Sequence, residues 1–298
     1  MRLKTTLDQW QTLYEIERAG SIQAAAMVLN KSHTTLIYAL RKLEDQLGVA
    51  LVEVKGRRAV LTEDGRSLLR RANSMLEQAR ELEVMSEQLA KGIESEITIA
   101  VDHLCDPAWL YRPMAEYMAT NSSTSIQVVE TSLSKTAHMV TSEQADIAII
   151  NFPITNYPAE SIGVTTMVPV VAAHHPLAQQ ADLCPADLAS VSQIVIRDLG
   201  VDRDNANKQN VGWLKSRQRI TVDNFDHAFR AVEQGIGFCR LPEHLIQSRA
   251  SDTIVVLKIA TSERYQVPLH LTLPKGAKTG PAAHCFYELL LQSARSRE

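Results

Sequence analysis

Between Asn30 and Gly48 the chain reads NKSHTTLIYALRKLEDQLG, with Leu36, Leu40, Leu43 and Leu47 at steps of three and four. That spacing predicts a helix with one buried stripe. Upstream, Thr6-Leu7-Asp8-Gln9 has the form of a capping box, and Leu7, Trp10, Leu13 and Tyr14 continue as an apolar stripe. Gly20 has the place of a left-handed helix end, and Ser21 caps a second, alanine-rich helix. Ser32 is the expected cap of the third. The segment VALVEVKGRRAVLT then alternates as two short strands around a basic Lys55-Gly56-Arg57-Arg58 turn. Three short helices followed by a hairpin with a basic tip form a winged helix-turn-helix plan.

From Thr62 to about Gly92 a long helix is predicted, with Glu63 and Asp64 in its first turn. Leu68, Ala72, Met75, Ala79, Leu82 and Leu89 form a coiled-coil-like seam along it. A stripe of this kind is not stable alone. Its partner is expected to be a second copy of the chain, with packing on the chain's own body as the alternative.

After Gly92 the pattern becomes strand–helix–strand. EITIAVD, SIQVVE, ADIAIIN, MVPVVAA, SQIVIRD and VPLHLTLP read as strands, with helical segments between most of them and an amphipathic helix at the end. The expectation is a mainly parallel sheet with helices on both faces, arranged as two α/β lobes. Crossovers are placed near 166–171 and 264–269. The domain plan is therefore 1–62 head, 63–92 linker helix, and 93–298 body. Within the body, lobe 1 takes 93–167 and 267–298, and lobe 2 takes 168–266.

Composition excludes more than it selects. At 45% hydrophobic and 22% charged the chain is an ordinary globular protein. No apolar run is long enough to span a membrane and the N-terminus has no signal-peptide core, so a cytoplasmic setting is expected. Four scattered cysteines form no CxxC pair, which speaks against a disulfide framework or structural zinc. His174-His175 has no carboxylate at metal-ligand spacing, and no metal or cofactor is expected. The net charge is −3. Residues 1–62 nonetheless carry nine Lys/Arg against six Asp/Glu, which fits a nucleic-acid-binding head. There is no G-x-S-x-G, no GxxxxGK[ST] and no HExxH, and Gly235 and Gly237 follow a helix rather than a strand. Catalysis is not expected.

The stretches GSIQAAAMVLNKSHTTLIYALRKLEDQLGVALVE and GRRAVLTEDGRSLL, with Leu43-Glu44, Leu47-Gly48-Val49, Leu61-Thr62 and Gly65 at fixed spacing, resemble the LysR-type transcriptional regulators of bacteria. ADIAIIN, VVAAHHPLA, VEQGIGFCRLPEHLI and LTLPKG extend the resemblance over essentially the whole chain. It implies a winged helix-turn-helix, a dimerising linker helix and a two-lobed effector domain similar to periplasmic solute-binding proteins, in a homodimer or homotetramer. Two departures stand out. Ile37-Tyr38 replaces a polar-basic pair common in the third helix, and Leu51-Val52-Glu53-Val54 replaces Leu-Phe-x-Arg.

The expected partners are thus a double-stranded DNA operator, a small-molecule effector and a second copy of the chain. A major groove admits one helix, and the side of the third helix opposite its leucines is free to enter it. Ser32, His33, Thr34, Thr35, Tyr38, Arg41 and Lys42 are the candidate DNA-binding residues there, with Arg57 and Arg58 at the wing tip. Arg41 and Lys42 suit phosphate; Tyr38 and Ile37 suit thymine methyls. In open α/β lobes ligands sit at the carboxyl ends of strands. Those ends hold Asp102, His103, Leu104 and Cys105; Thr131 and Ser132; Asn151 and Phe152; Arg197 and Asp198; and Asp223, Asn224 and Phe225. Alternative readings are a solute-binding protein, or a redox-sensing regulator using Cys105, whose thiolate a helix start would favour.

Overall fold

The computed structural model describes residues 3–55, 58–121, 123–181, 183–198, 200, 212–249, 252–259 and 264–297. Its contacts divide the chain into two units, Met1–Gln88 and Leu89–Glu298.

The first unit contains α1 (Leu7–Ala19), α2 (Ile22–Val28), α3 (His33–Leu47), a hairpin of β1 (Val52–Lys55) and β2 (Arg58–Leu61), and α4 (Glu63–Ala90), which runs to the boundary. The expected caps are present. Thr6 and Gln9 exchange hydrogen bonds, with Thr6 N donating to Gln9 Oε1 at 2.8 Å. Gly20 is left-handed at φ 70°, and Ser21 and Ser32 accept from Ala24 N and Thr35 N, each at 3.1 Å. Leu36, Leu40 and Leu43 are buried with Trp10, Leu13, Ile16 and the small Ala25 and Ala26. Two of the motifs acquire a physical cause. The Glu44 carboxylate accepts from Leu51 N (2.7 Å) and Val52 N (3.1 Å), fastening α3 to the first strand. Thr62 donates to the Ala50 carbonyl and accepts from Gly65 N, capping α4. A Cβ on Gly65 would lie 2.2 Å from the Leu51 carbonyl oxygen, so the helix start seats on β1 only through a glycine.

In the second unit the chain runs β3 (Glu96–Asp102), α5 (Pro107–Thr120), β4 (Ser125–Thr131), α6 (Leu133–Thr141), β5 (Ile147–Ile150) and β6 (Ala159–Ala172). It continues with α7 (Pro185–Ala189), β7 (Gln193–Ile196), β8 (Arg219–Val222), α8 (Phe225–Glu233), β9 (Cys239–Pro242) and α9 (Glu243–Arg249). It ends with β10 (Ile254–Val256), β11 (Tyr265–Thr272) and α10 (Pro281–Arg295). A seven-stranded sheet has the order β10-β6-β11-β5-β3-β4, with β9 also on β6, and β7 pairs β8 separately. One core gathers β3, β5, α5 and α10 around Tyr117 and Phe286; another gathers β6, β7, β9 and α8 around Phe229.

The expected mainly parallel sheet is corrected here. Among the described strand pairs, β3–β4, β3–β5 and β7–β8 are parallel. β11 runs antiparallel to β5 and β6, as β9 and β10 do to β6. The two crossing strands β6 and β11 run in opposite directions, so their own pairing is antiparallel. The half of β6 before Met167 was not expected as strand. Four of its residues AESIGVTT are exposed, and Gly163 (φ 137°) lies where a Cβ would meet the Trp109 ring at 2.8 Å.

Candidate functional site

In the first unit the candidate face is α3. Ser32, His33, Thr34, Thr35, Tyr38, Arg41 and Lys42 are all exposed, while Leu36 and Leu43 are fully buried behind them. The Ser32 hydroxyl caps the helix and sits 2.8 Å from the Thr34 and 2.7 Å from the Thr35 hydroxyl. The α3 N-terminus is thus a small cluster of hydroxyl groups. Tyr38 is 68% exposed and presents its ring on this face. Arg57 lies outside the described residues, and of Arg58 only the backbone, in β2, is described.

In the second unit a cavity of about 390 Å³ opens between the lobes. The expected His103, Leu104, Ser132, Asn151, Phe152, Arg197 and Phe225 line it. The His103 ring packs against Phe225 at 4.8 Å and tilted by 55°, and burial holds its imidazole down at about 4, so it is neutral at pH 7. Its Nδ1 and the Asn151 Oδ1 are buried without a hydrogen-bond partner among the described residues. Sequence reasoning missed Met167 and Val267 on the two crossing strands, Ile194 and Val195 on β7, and Arg240 and Tyr265. Arg240 lies 5.2 Å from the Tyr265 ring centroid, and burial lowers its pKa. These residues are mid-strand or at strand starts, where a search of strand ends does not look. No Asp or Glu is among the described lining residues, whereas two arginines are.

The other expected cleft residues have different duties. Asp102 is fully buried, accepts from Leu104 N at 3.0 Å, and burial pushes its carboxyl up to about 7. Thr131 is buried and accepts from the Thr136 hydroxyl. Asp223 is paired with Arg197 at 2.6 Å, and Asn224 caps α8 through His227 N. Asp198 accepts from Ser134 N across the cleft at 3.2 Å.

Residues 7–66 match the model for the bacterial regulatory helix-turn-helix protein, lysR family, and residues 90–295 match the LysR substrate binding domain. The chain belongs to the LysR family of transcriptional regulators. Among its relatives, the uncharacterized HTH-type transcriptional regulator YeeY of Escherichia coli (strain K12) is 30% identical over 251 residues, covering 82% of this chain and 80% of that protein. The probable HTH-type transcriptional regulator YhaJ of the same strain is 28% identical over 251 residues, covering 81% and 82%. Full-length LTTR LysG from Corynebacterium glutamicum, solved with bound effector Arg, shares the fold with a TM-score of 0.51 at 20% identity, covering 97% of this chain and 98% of that one. This LysR-family chain is accordingly a DNA-binding transcriptional regulator with an effector-binding domain.

Two expectations change within this LysR-family regulator. Cys105 is only 5% exposed, and burial pushes its thiol up to about 12, so the reactive thiolate expected at a helix start does not form at neutral pH. The α4 seam also divides. Ala72 lies in the head's own core with Leu69 and Leu76, and Leu68 packs against it, so Ala72 is closed to a partner chain. Met75, Leu82 and Leu89 are exposed, and Ala79 is half-buried. Among the described residues no helix is long and apolar enough to cross a membrane.

Proposed function

We propose that α3 reads operator DNA through Ser32, His33, Thr34, Thr35, Tyr38, Arg41 and Lys42, while a small effector bound between the lobes changes their relative angle and so the regulatory state. The observation that carries the first half is the division of α3 into a buried leucine side and an exposed polar side bearing Tyr38. Arg41 and Lys42 serve phosphates, and the Tyr38 ring serves thymine methyls. The hydroxyl-rich helix start, at the positive end of the helix dipole, suits a phosphate as well.

The cleft takes a molecule with a mainly apolar or aromatic body. Met167, Phe152, Phe225 and Ile194 support the body. The absence of described carboxylates in the lining, together with Arg240, favours an anionic or strongly accepting group; Asn151 Oδ1 favours a donor. Two chains pair through the exposed part of α4, around Met75, Leu82 and Leu89, in a cytoplasmic homodimer or homotetramer without catalytic activity. An effector is sought by thermal shift of the full-length protein against aromatic acids, phenols and amines. A hit whose shift disappears in Phe225→Ala supports the cleft; hits unaffected by that change, or none at all, refute it.

A further inference from the structure

The start of α6 is held from two sides, and the buried Asp102 carboxylate of its own lobe faces Leu133 and Thr136. The N-cap residue of α6, Ser132, makes no side-chain capping hydrogen bond, and the first helical residue, Leu133, is held at φ 37°, a conformation that side chains with a Cβ rarely adopt. A second carboxylate comes from the opposite lobe. The Asp198 carboxylate, two residues past β7, accepts from Ser134 N at 3.2 and 3.3 Å and from the Ser132 hydroxyl at 3.5 Å. The same carboxylate accepts from Gly200 N at 3.1 Å. Gly200 itself lies against α6: a Cβ on it would lie 1.6 Å from the Ser134 hydroxyl oxygen. A carboxylate at a helix start is favoured by the free amides and the helix dipole together. Here the Ser134 amide belongs to one lobe and the carboxylate to the other, so the bond couples the two lobes directly.

We propose that Asp198 is a lobe-to-lobe latch, which holds the ligand-free body at one lobe angle and must be released or retained by whatever switches the regulator. The proposal rests on reading the cleft as the effector site. Neighbouring charge does not duplicate the latch. Arg197 is turned to Asp223, and both of those side chains are more than half exposed. Leu133 lines the effector cavity, so a bound molecule touches the strained residue that the latch holds in place.

The protein carries its own reporters. Cys184, at the start of α7, and Cys285, on α10, are exposed and lie in different lobes, whereas Cys105 and Cys239 are buried. Spin labels on these two native cysteines, in full-length ligand-free protein diluted with unlabelled chains, read one lobe-to-lobe distance. Asp198→Ala is expected to broaden or shift that distance distribution and to speed hydrogen exchange of the Ser134 amide by about tenfold or more. Asp198→Asn, which keeps an acceptor oxygen, should do so to a smaller degree. Gly200→Ala should act in the same direction by forcing position 200 away from Ser134, and it carries the test if Asp198→Ala does not fold. A wild-type distance distribution and wild-type Ser134 exchange in Asp198→Ala would overturn the latch, as would their retention in both other variants. Because no ligand is used, that outcome leaves the effector reading standing, and a failed ligand screen leaves the latch standing.

Discussion

The α3 face and the interlobe cleft are built on opposite plans. All the α3 candidates lie within eleven consecutive residues on one side of one helix, positioned by leucines three and four residues away. The cleft draws Leu104, Asn151, Met167, Ile194, Arg240 and Tyr265 from segments spread over more than half of the chain. A site on one regular element inherits its geometry from local periodicity, so its orientation is secured as soon as the stripe is buried. A site between lobes inherits its geometry from tertiary packing, and each lining residue depends on the placement of a different strand. The first should fail only when the stripe or the face itself is altered. The second should respond to changes at several remote places, including buried ones that touch no ligand.

The largest expected effect breaks the first plan at its base. Leu43→Ala, at a fully buried position, should cost about 2–5 kcal/mol in urea unfolding of the head. Operator binding should fall with it, while ligand-induced stabilisation of the lobes is retained. Loss of both together would mean that the two sites are not independently built.

Asp102 tests the second plan from within the core. Its folded pKa of about 7 lies above the ordinary 3.8, so the folded state binds this proton more tightly than the unfolded chain does. Stability from this group is therefore fully present below pH 3.8 and declines as pH rises to about 7, a total of roughly 4 kcal/mol by linkage. Asp102→Asn should flatten the stability–pH curve between about pH 4 and pH 7. Parallel curves for the two proteins would place the proton elsewhere.

Smaller effects separate the residues of the reading face. Arg41→Ala should lower the salt slope of operator binding by about one unit without changing base preference. An unchanged slope removes Arg41 from the phosphate contacts. The smallest effect belongs to the exposed Arg197–Asp223 pair at the rim of the cleft. Arg197→Ala should change stability by no more than about 1 kcal/mol, because solvent screens both partners; a larger loss in thermal unfolding would give this pair a structural role.

The same contrast explains what could be read from the sequence. Thr6, Gly20, Ser21 and Ser32 announce the ends of the head helices because capping is decided within four residues. Gly65 was recognisable by spacing, yet its cause, the approach of the Leu51 carbonyl, required the fold. On α4 the periodicity identified an apolar stripe but not what covers it. Ala72 belongs to the head core, whereas Leu82, ten residues on, is exposed. The first half of β6 lacks the apolar alternation of a strand because much of it is exposed. Arg240 and Tyr265 were invisible as cleft residues for a different reason. Their neighbours in the cleft are remote in sequence, and neither stands where a parallel strand ends. Asp198 was marked as a strand-end residue, but only the packed lobes reveal that its carboxylate caps the opposite lobe's helix.

The claim that α3 reads DNA with an apolar ring as well as with charge is tested most directly on thymine methyls. Full-length protein would select its sites from a random duplex library, and the binding of wild type and Tyr38→Ala would be measured with each thymine replaced in turn by uracil. At one position or more, loss of the methyl should weaken wild type by about 1 kcal/mol and leave Tyr38→Ala unchanged. Equal sensitivity of the two proteins at every thymine, or none in either, would contradict the account.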